Sequence, residues 1–457
     1  MILSPSNIKK TKEYFKRNGL KNTIYAAVER VIEKKGSNYT YVEPDERELE
    51  RQRKNKLDEQ PLISIVVPTY ETKPVYLEDL ILSCEEQTYT HFEIVIVDAS
   101  KTDFVEHIVH DYQGQFNNIV YKRLEENKGI SDNTNEGIDI AKGNYIGLLD
   151  HDDVLTKDAL YTMVKCINEK TKKYGAPYLV YSDEDKTDTY LEKYYEPHFK
   201  GKTDAELIMS NNYVCHFSLY RHDIIKTLKL RSEFDGAQDY DLVLRTFGMA
   251  YEYEGGYKEK IHHVPKVLYH WRCHEASTAE NPTAKAYAYE NGRRALEEYA
   301  GKRFKNVIVS SLKHVGFYRV DYANGVLKDR HDVAAVGGPV YEKGKILSGL
   351  INLQGKPVYE GLNQYFSGYM HGAVLTRDAD ALDIRNIAIR PEYAKLFKEQ
   401  TGFSYPLSEK DAKSVSNEEI IKKSLKFCNK LKSKGITLLY DPQFDAKKHG
   451  ENNDAEK

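Results

Sequence analysis

The sequence predicts an α/β domain on a mostly parallel sheet, with a helical segment before it and a second α/β region after it. Three observations carry that prediction. Short, near-continuous apolar runs rich in β-branched residues recur from "PLISIVVPTY" to "PYLVYSDED". Segments of helical period separate them, the pattern of a parallel sheet covered on both faces. Polar and acidic residues gather directly after the runs, where ligands bind in open α/β sheets.

Residues 1–60 read as helical and polar. "NTIYAAVERVIEKK" carries Ile24, Ala27, Val28, Val31 and Ile32 at helical spacing, and Lys9, Lys10, Lys12, Lys16 and Arg17 precede it. Basic amphipathic helices of this kind lie on anionic membranes; a helical collar packed on the main domain is the other reading. "DERELERQRKNKLDE" reads as solvated helix or linker. The strands that follow are "PLISIVVPTY", "HFEIVIVDAS", "NIVYKRL", "NYIGLLDHDD" and "PYLVYSDED", with helices over 75–87, 104–112, 131–141 and 156–173 between them. Beyond Lys200 the pattern predicts a helix over 203–209, a strand over 214–220 and a helix over "GAQDYDLVLRTFGMA". "IHHVPKVLYHWRCHEAS" reads as strand with a proline break, and a helix over 284–299 closes the domain. The expected organisation is therefore a helical segment at 1–60, a main domain at 61–301 and an α/β region at 302–457. Strand signals in the last are "NVIVSSL", "VAAVGG" and "GITLLYD".

Composition narrows the class. The 457 residues are 40% hydrophobic and 30% charged, with a formal net charge of −3. No global basic field points to nucleic acid. The five cysteines are far apart with no C-x-x-C pair, which argues against a disulfide framework or a zinc site and favours a reducing, cytoplasmic setting. The N-terminus lacks the apolar core of a signal peptide, and no apolar run is long enough to span a bilayer.

The acidic residues carry the chemistry. Asp150 and Asp152 leave the fourth strand two residues apart, and such oxygen ligands suit Mg²⁺ or Mn²⁺ alongside substrate phosphates. An EF-hand fails, because Leu155 and Tyr161 stand where Gly and Glu are needed. "DHDDV" also fits the phosphatase D-x-D-x-[TV] pattern, but that belongs on a first strand, and three strand–helix units precede this one. Asp239 and Asp241 open the "QDYDL" helix. Asp239 is either an N-terminal cap or a general base at a cleft. His270 and His274 could complete a carboxylate metal site or be structural. Walker A, G-x-G-x-x-G after a strand, and G-x-S-x-G are all lacking.

Together the runs "PLISIVVPTYE", "QTYTHFEIVIVDAS", "NKGISDNTNEGIDIAKGNYIGLLDHDDVL", "LVYSDEDK", "GAQDYDLVLR" and "VPKVLYHWRCHEAS" resemble glycosyltransferase family 2 with its GT-A fold, over roughly residues 60–300. The nearest flavour is the bacterial surface-polysaccharide and rhamnosyltransferase-like branch. The resemblance implies a metal-dependent, inverting transfer from a nucleotide-diphospho-sugar to a glycan or lipid-linked acceptor in envelope or capsule synthesis. A related assembly subunit without turnover is the alternative. Pro68, Thr69, Tyr70 and Glu71 would line the nucleotide pocket, and Asp98 would hydrogen-bond the base. Lys128, Gly129 and Ser131 would approach the nucleotide. Asp150 and Asp152 would be the D-x-D pair, with His270 completing the Mn²⁺ or Mg²⁺ shell and His274 a second candidate. Asp183, Glu184 and Asp185 would border the sugar, and Asp239 would be the base. A location in the cytoplasm, with peripheral contact at the inner face of the membrane, follows from the same reading. In the C-terminal region, "YMHGAVLTRDA" echoes "YVCHFSLYRHD", so that region is either a degenerate second half of the same kind or an independent small domain.

Overall fold

The computed structural model describes residues 5–36, 38–274 and 286–447. It separates into two compact units, one of residues 37–203 and 212–299, the other of 1–36, 204–211 and 300–457. The expected 1–60 segment is thereby divided. Helix α1 (Pro5–Gly36) groups with the C-terminal region, and α2 (Glu46–Lys54) with the strands. The reason is visible in the contacts. Glu29 of α1 is buried, accepting from the Ser367 and Gly368 N–H groups at 2.7 and 2.6 Å. Gln52 of α2 instead accepts from Thr88 Oγ1 at 2.8 Å. A collar of all sixty residues on the main domain is not what forms.

The central unit runs β1 (Ile63–Thr69), α3 (Pro74–Glu85), β2 (Phe92–Asp98), α4 (Phe104–Gln113), β3 (Ile119–Arg123), α5 (Ile130–Ile140) and β4 (Tyr145–Leu148). It continues through β5 (Val154–Leu155), α6 (Ala159–Tyr174), β6 (Leu179–Thr187), β7 (Tyr194–His198), β8 (Ser218–Arg221), α7 (His222–Leu228), α8 (Gln238–Tyr251), β9 (Ile261–Arg272) and α9 (Ala286–Arg303). The α/β class is as expected. One nine-stranded sheet has the order β3-β2-β1-β4-β8-β6-β9-β5, with β7 on β6. β3, β2, β1 and β4 are all parallel, while β8 runs antiparallel between β4 and β6.

The local reasons follow from residue type. Every residue of β1 and β2 is buried, as a strand covered on both faces requires. Pro74 starts α3, where its missing N–H costs nothing, and Tyr76, Leu77, Leu80, Ile81 and Cys84 form its buried stripe. Beyond β4 the expectations shift. Strand 214–220 shortens to β8, and the helix at 203–209 reduces to a 3₁₀ turn, Leu207–Met209. "IHHVPKVLYHWR" is one strand: against β6 the partner jumps from Val264 to Val267, so Pro265 bulges out of a ladder to which it cannot donate. Glu275, Ala276, Ser277 and the start of the 284–299 helix lie outside the described residues.

In the other unit, strands Arg377–Asp378, Thr437–Tyr440, Val333–Gly337 and Ile387–Ile389 form a four-stranded sheet with one parallel pair. The sequence echo is not matched locally. "SLYR" is a strand that leads into a helix, whereas "YMHGAV" is a 3₁₀ segment followed by the two-residue strand at Arg377. Arg330, 1% exposed, holds Glu206 through both carboxylate oxygens at 2.6 and 3.1 Å, which ties residues 204–211 into this unit.

Gly137 of α5 lies on the sheet: a Cβ there would stand 2.5 Å from Val66 Cγ1 and 3.0 Å from Val97 Cγ2. Alanine improves helix propensity by up to about 1 kcal/mol, but overpacking costs about 1–3 kcal/mol. Gly137→Ala is therefore expected to lose up to about 2 kcal/mol net in urea unfolding.

Candidate active site

The ends of β1 and β2 form a closed polar knot. Asp98 is fully buried. It accepts from Thr69 Oγ1 at 3.2 Å, Ser100 N–H at 2.9 Å and Tyr121 Oη at 2.9 Å. Three donors thus hold its carboxylate inside the protein, two on Oδ1 and one on Oδ2. Glu71, at φ 49°, accepts from Lys101 N–H and Thr102 Oγ1, while its own N–H donates to Ser100 Oγ. Those bonds, the Thr102 hydroxyl first, hold its carboxyl below the usual range. Asp98 and Glu71 set the loop's shape. Pro68 is buried in β1, and Tyr70, 42% exposed, offers its ring to solvent.

At the start of α5, Gly129 has φ 98°, and a Cβ there would meet the Asp235 carboxylate at 2.6 Å, so the position takes glycine on both counts. Asp235 also accepts from Ser131 Oγ at 2.5 Å. Close approach at Gly129 is therefore made by Asp235, which the sequence reading did not identify. The Lys128 ammonium is at the surface, 3.7 Å from Glu126.

The loop after β4 splits its carboxylates by role. Asp153 is 1% exposed, accepting from the Arg272 N–H at 2.7 Å and from Tyr269 Oη. Burial, then the charges of Asp152 and Asp150, push its carboxyl well above the usual range. Arg272, fully buried, donates to the Asp152 carbonyl at 2.7 Å, to the Thr189 carbonyl at 2.9 Å and to Asp79 at 2.9 Å. Asp150 is exposed and Asp152 partly so. Asp152 Oδ2 lies 2.7 Å from His274 Nε2. His270, expected at the metal, is elsewhere: its Nδ1 is 2.5 Å from Asp185 and its ring packs between Tyr41 and Tyr194. Two register shifts in β9, Val264 to Val267 and Val267 to Tyr269, precede His270 and leave it paired opposite Asp185.

Asp183, Glu184 and Asp185 lie within β6 rather than beyond it, and all three are buried. Each is matched to an imidazole. Asp183 accepts at 2.6 Å from His263, Glu184 faces His216 at 3.0 Å, and Asp185 meets His270 and the Tyr39 hydroxyl at 2.6 Å. Enclosed in this way they brace the sheet. Burial alone would raise Glu184, but the Lys200 ammonium and His216 outweigh it and hold it well below the carboxylate range. Burial would likewise lower His216, but Glu184 foremost, then Asp150 and Asp153, push it up to about 9.

Asp239 lies in the first turn of α8, partly exposed, accepting from Asn212 Nδ2 at 2.8 Å. Burial of the carboxylate raises its pKa, and the charge of Asp150 adds to that. The capping position is Ala237, so Asp239 is not the N-cap. Asp241 is structural, 1% exposed and bonded to Arg231 and Arg245. The fold thus brings Asp150, Asp239 and His216 into one electrostatic neighbourhood. His216 was not identified from sequence; a single histidine in "NNYVCHFS" gives no periodic or spacing signal.

The donor set fits a hard divalent cation. Asp150 and Asp152 offer carboxylates at a solvent-facing turn and His274 an imidazole beside Asp152. Among the described residues no group of three or more ligating side chains is already assembled.

Residues 64–229 match the sequence model described as "Glycosyl transferase family 2". The chain is 36% identical over 249 residues to the uncharacterized protein y4gI of Sinorhizobium fredii, covering 54% of this chain and 26% of that one. It is 28% identical over 269 residues to the O-antigen biosynthesis protein RfbC of Myxococcus xanthus, covering 58% and 20%. The chain thus spans about a quarter or less of the length of these two relatives. Among solved structures, S. aureus TarS 1–349 in complex with UDP-GlcNAc aligns at TM-score 0.39 and 20% identity, over 51% of this chain and 65% of that chain. No helix among the described residues is long and apolar enough to cross a membrane.

His216 gives a pH signature. Its folded pKa is raised, so its stabilisation is complete below the unfolded value and lost as pH rises through about 9. Glu184 is lowered, so its contribution holds above the ordinary carboxylate value and is lost as pH falls through its folded one. Unfolding free energy measured across ~pH 6–10 should fall through the alkaline arm, and His216→Gln should flatten that arm.

Proposed function

We propose, from the premise that residues 64–229 are a glycosyltransferase family 2 domain, that this chain transfers a sugar from a nucleotide-diphospho-sugar to a hydroxyl of a glycan or lipid-linked acceptor. The match to the family model and the O-antigen biosynthesis for which RfbC is named support that direction. The observation that carries the chemistry is Asp239: a partly exposed carboxylate with a raised pKa, oriented by Asn212 and in the field of Asp150. A raised pKa makes a carboxylate a better acceptor of a hydroxyl proton.

In this reading Asp239 takes the proton from the acceptor hydroxyl as that oxygen attacks the anomeric carbon. The bond from the anomeric carbon to the diphosphate oxygen breaks in the same displacement. The nucleoside diphosphate leaves with the electron pair, and the anomeric configuration inverts. The diphosphate is anionic, and the exposed Asp150 and Asp152 would repel it unaided. Mn²⁺ or Mg²⁺ held by Asp150, Asp152 and His274, in place of His270, would supply the neutralising charge. Tyr70 and the backbone of the Glu71 loop stay open to a nucleotide, with Asp98 shaping that loop from within. The acceptor class implies work at the inner face of the membrane, with the chain peripheral to it. The C-terminal unit, with its own core around Phe397, Phe427 and Leu431, serves in this reading as a supporting or acceptor-binding unit.

Two outcomes are expected. Asp239→Asn should lower the rate of sugar transfer about 10²–10⁴-fold while donor binding by calorimetry changes little; near-normal transfer would remove Asp239 as base. Mn²⁺ should raise the thermal midpoint through linkage, and Asp152→Asn or His274→Ala should abolish that shift whereas His270→Gln retains it. A donor panel with no metal-stimulated turnover would favour a binding subunit instead.

A further inference from the structure

Helix α1 is held on its unit by polar bonds and ring contacts. Glu29 is 8% exposed and bonded to the Ser367 and Gly368 N–H groups, Asn18 donates to the Lys313 carbonyl at 3.1 Å, and the Tyr14 ring lies 5.7 Å from that of His314. Among its exposed residues, basic side chains accompany a set of large apolar ones. Leu20, Ile24, Val28, Val31 and Ile32 are 63%, 53%, 46%, 37% and 56% exposed. Their spacing puts them on one stripe of the second half of the helix, after the break at Gly19 (φ 75°). Tyr25 stacks on Tyr365 at 4.5 Å.

We infer that this face of α1 seats the protein on an anionic lipid surface. The charge of the helix selects that occupant. Over Pro5–Gly36 there are nine Lys and Arg against three Glu, one of them the buried Glu29. A second copy packed on the same stripe in two-fold fashion would set these cations against one another. An anionic bilayer accepts the apolar side chains at its acyl boundary and the ammonium groups among its headgroups. The Glu29 clamp fixes the rotation of the helix, so the stripe faces outward without rearrangement. This deepens the peripheral-membrane part of the proposed function and does not depend on its catalytic part.

The test is co-sedimentation of the full chain with sucrose-loaded vesicles of phosphatidylcholine alone or mixed with phosphatidylglycerol. Binding is expected to the phosphatidylglycerol vesicles and not to phosphatidylcholine, and to weaken as salt screens the lysines. Leu20→Gln/Ile24→Gln/Val28→Gln and, separately, Lys9→Gln/Lys12→Gln/Lys16→Gln should each weaken it at least ~10-fold, with the thermal midpoint unchanged. None of these residues lies in the proposed catalytic site, so acceptor-independent donor hydrolysis should be unaffected. Equal binding by wild type and variants, or none by either, overturns the inference while leaving the hydrolysis result to judge the enzyme. A dimer in sedimentation that the apolar triple variant dissolves also overturns it, in favour of a second copy.

Discussion

The site rests on the attachment of the loop after β4 to strand β9 through Asp153 and Arg272. Asp153 is buried between the Tyr269 hydroxyl and the Arg272 N–H, and the Arg272 guanidinium reaches back to the Asp152 carbonyl. A guanidinium with almost no exposure needs acceptors on every side. Arg272 finds them in two carbonyls and Asp79, and its charge lies 4.7 Å over the Tyr76 ring. The backbone of 150–153 is therefore fixed from behind, which leaves the Asp150 and Asp152 side chains facing outward. Of two adjacent acids, Asp152 stays partly exposed and Asp153 is buried, because one strand claims Asp153.

The same economy governs β6. Three consecutive carboxylates in a sheet interior repel one another and lose hydration unless each is paired. Strand alternation sends Asp183 and Asp185 to one face and Glu184 to the other, and His263, His270 and His216 meet them there. Glu184 also binds the fully buried Lys200 ammonium at 3.2 Å. His216 is the joint between this brace and the reactive region. It stacks on Tyr269 at 5.3 Å and meets Trp271 at 4.6 Å, and its charge is felt at Asp239.

Much of the first half was legible because its signals are local. β1 to β4 and the helices between them are set by apolar runs and helical period, and the strands lie where those runs are. The roles of Asp150 and Asp153 were separable because a strand end has an inside and an outside. What could not be read depended on long-range pairing. Two register shifts in β9 place His270 opposite Asp185, while His274 beyond the strand meets Asp152. Asp98 reads as a ligand contact in sequence; only the arrival of Tyr121 and Ser100 shows that it also braces the loop from within. Asp235 and His216 stand in irregular segments where no periodicity marks them.

The division of the chain follows the same logic of burial. Residues 204–211 join the C-terminal unit because Glu206 and Arg330 are buried together and neither charge is tolerable alone there. Asp204 reinforces the join, accepting from its own Glu206 and Leu207 N–H groups and from Asp378 N–H. Glu29 of α1 does the same work from the opposite end of the sequence, since its carboxylate satisfies two backbone donors that would otherwise be buried unpaired. Cutting the chain after the strand domain would therefore expose both α1 and the 204–211 segment. An activity lost on such truncation would reflect those broken pairs as much as any acceptor contact. Point substitutions on the C-terminal unit's surface, with Arg330 and Glu29 intact, are the cleaner way to separate scaffold from substrate.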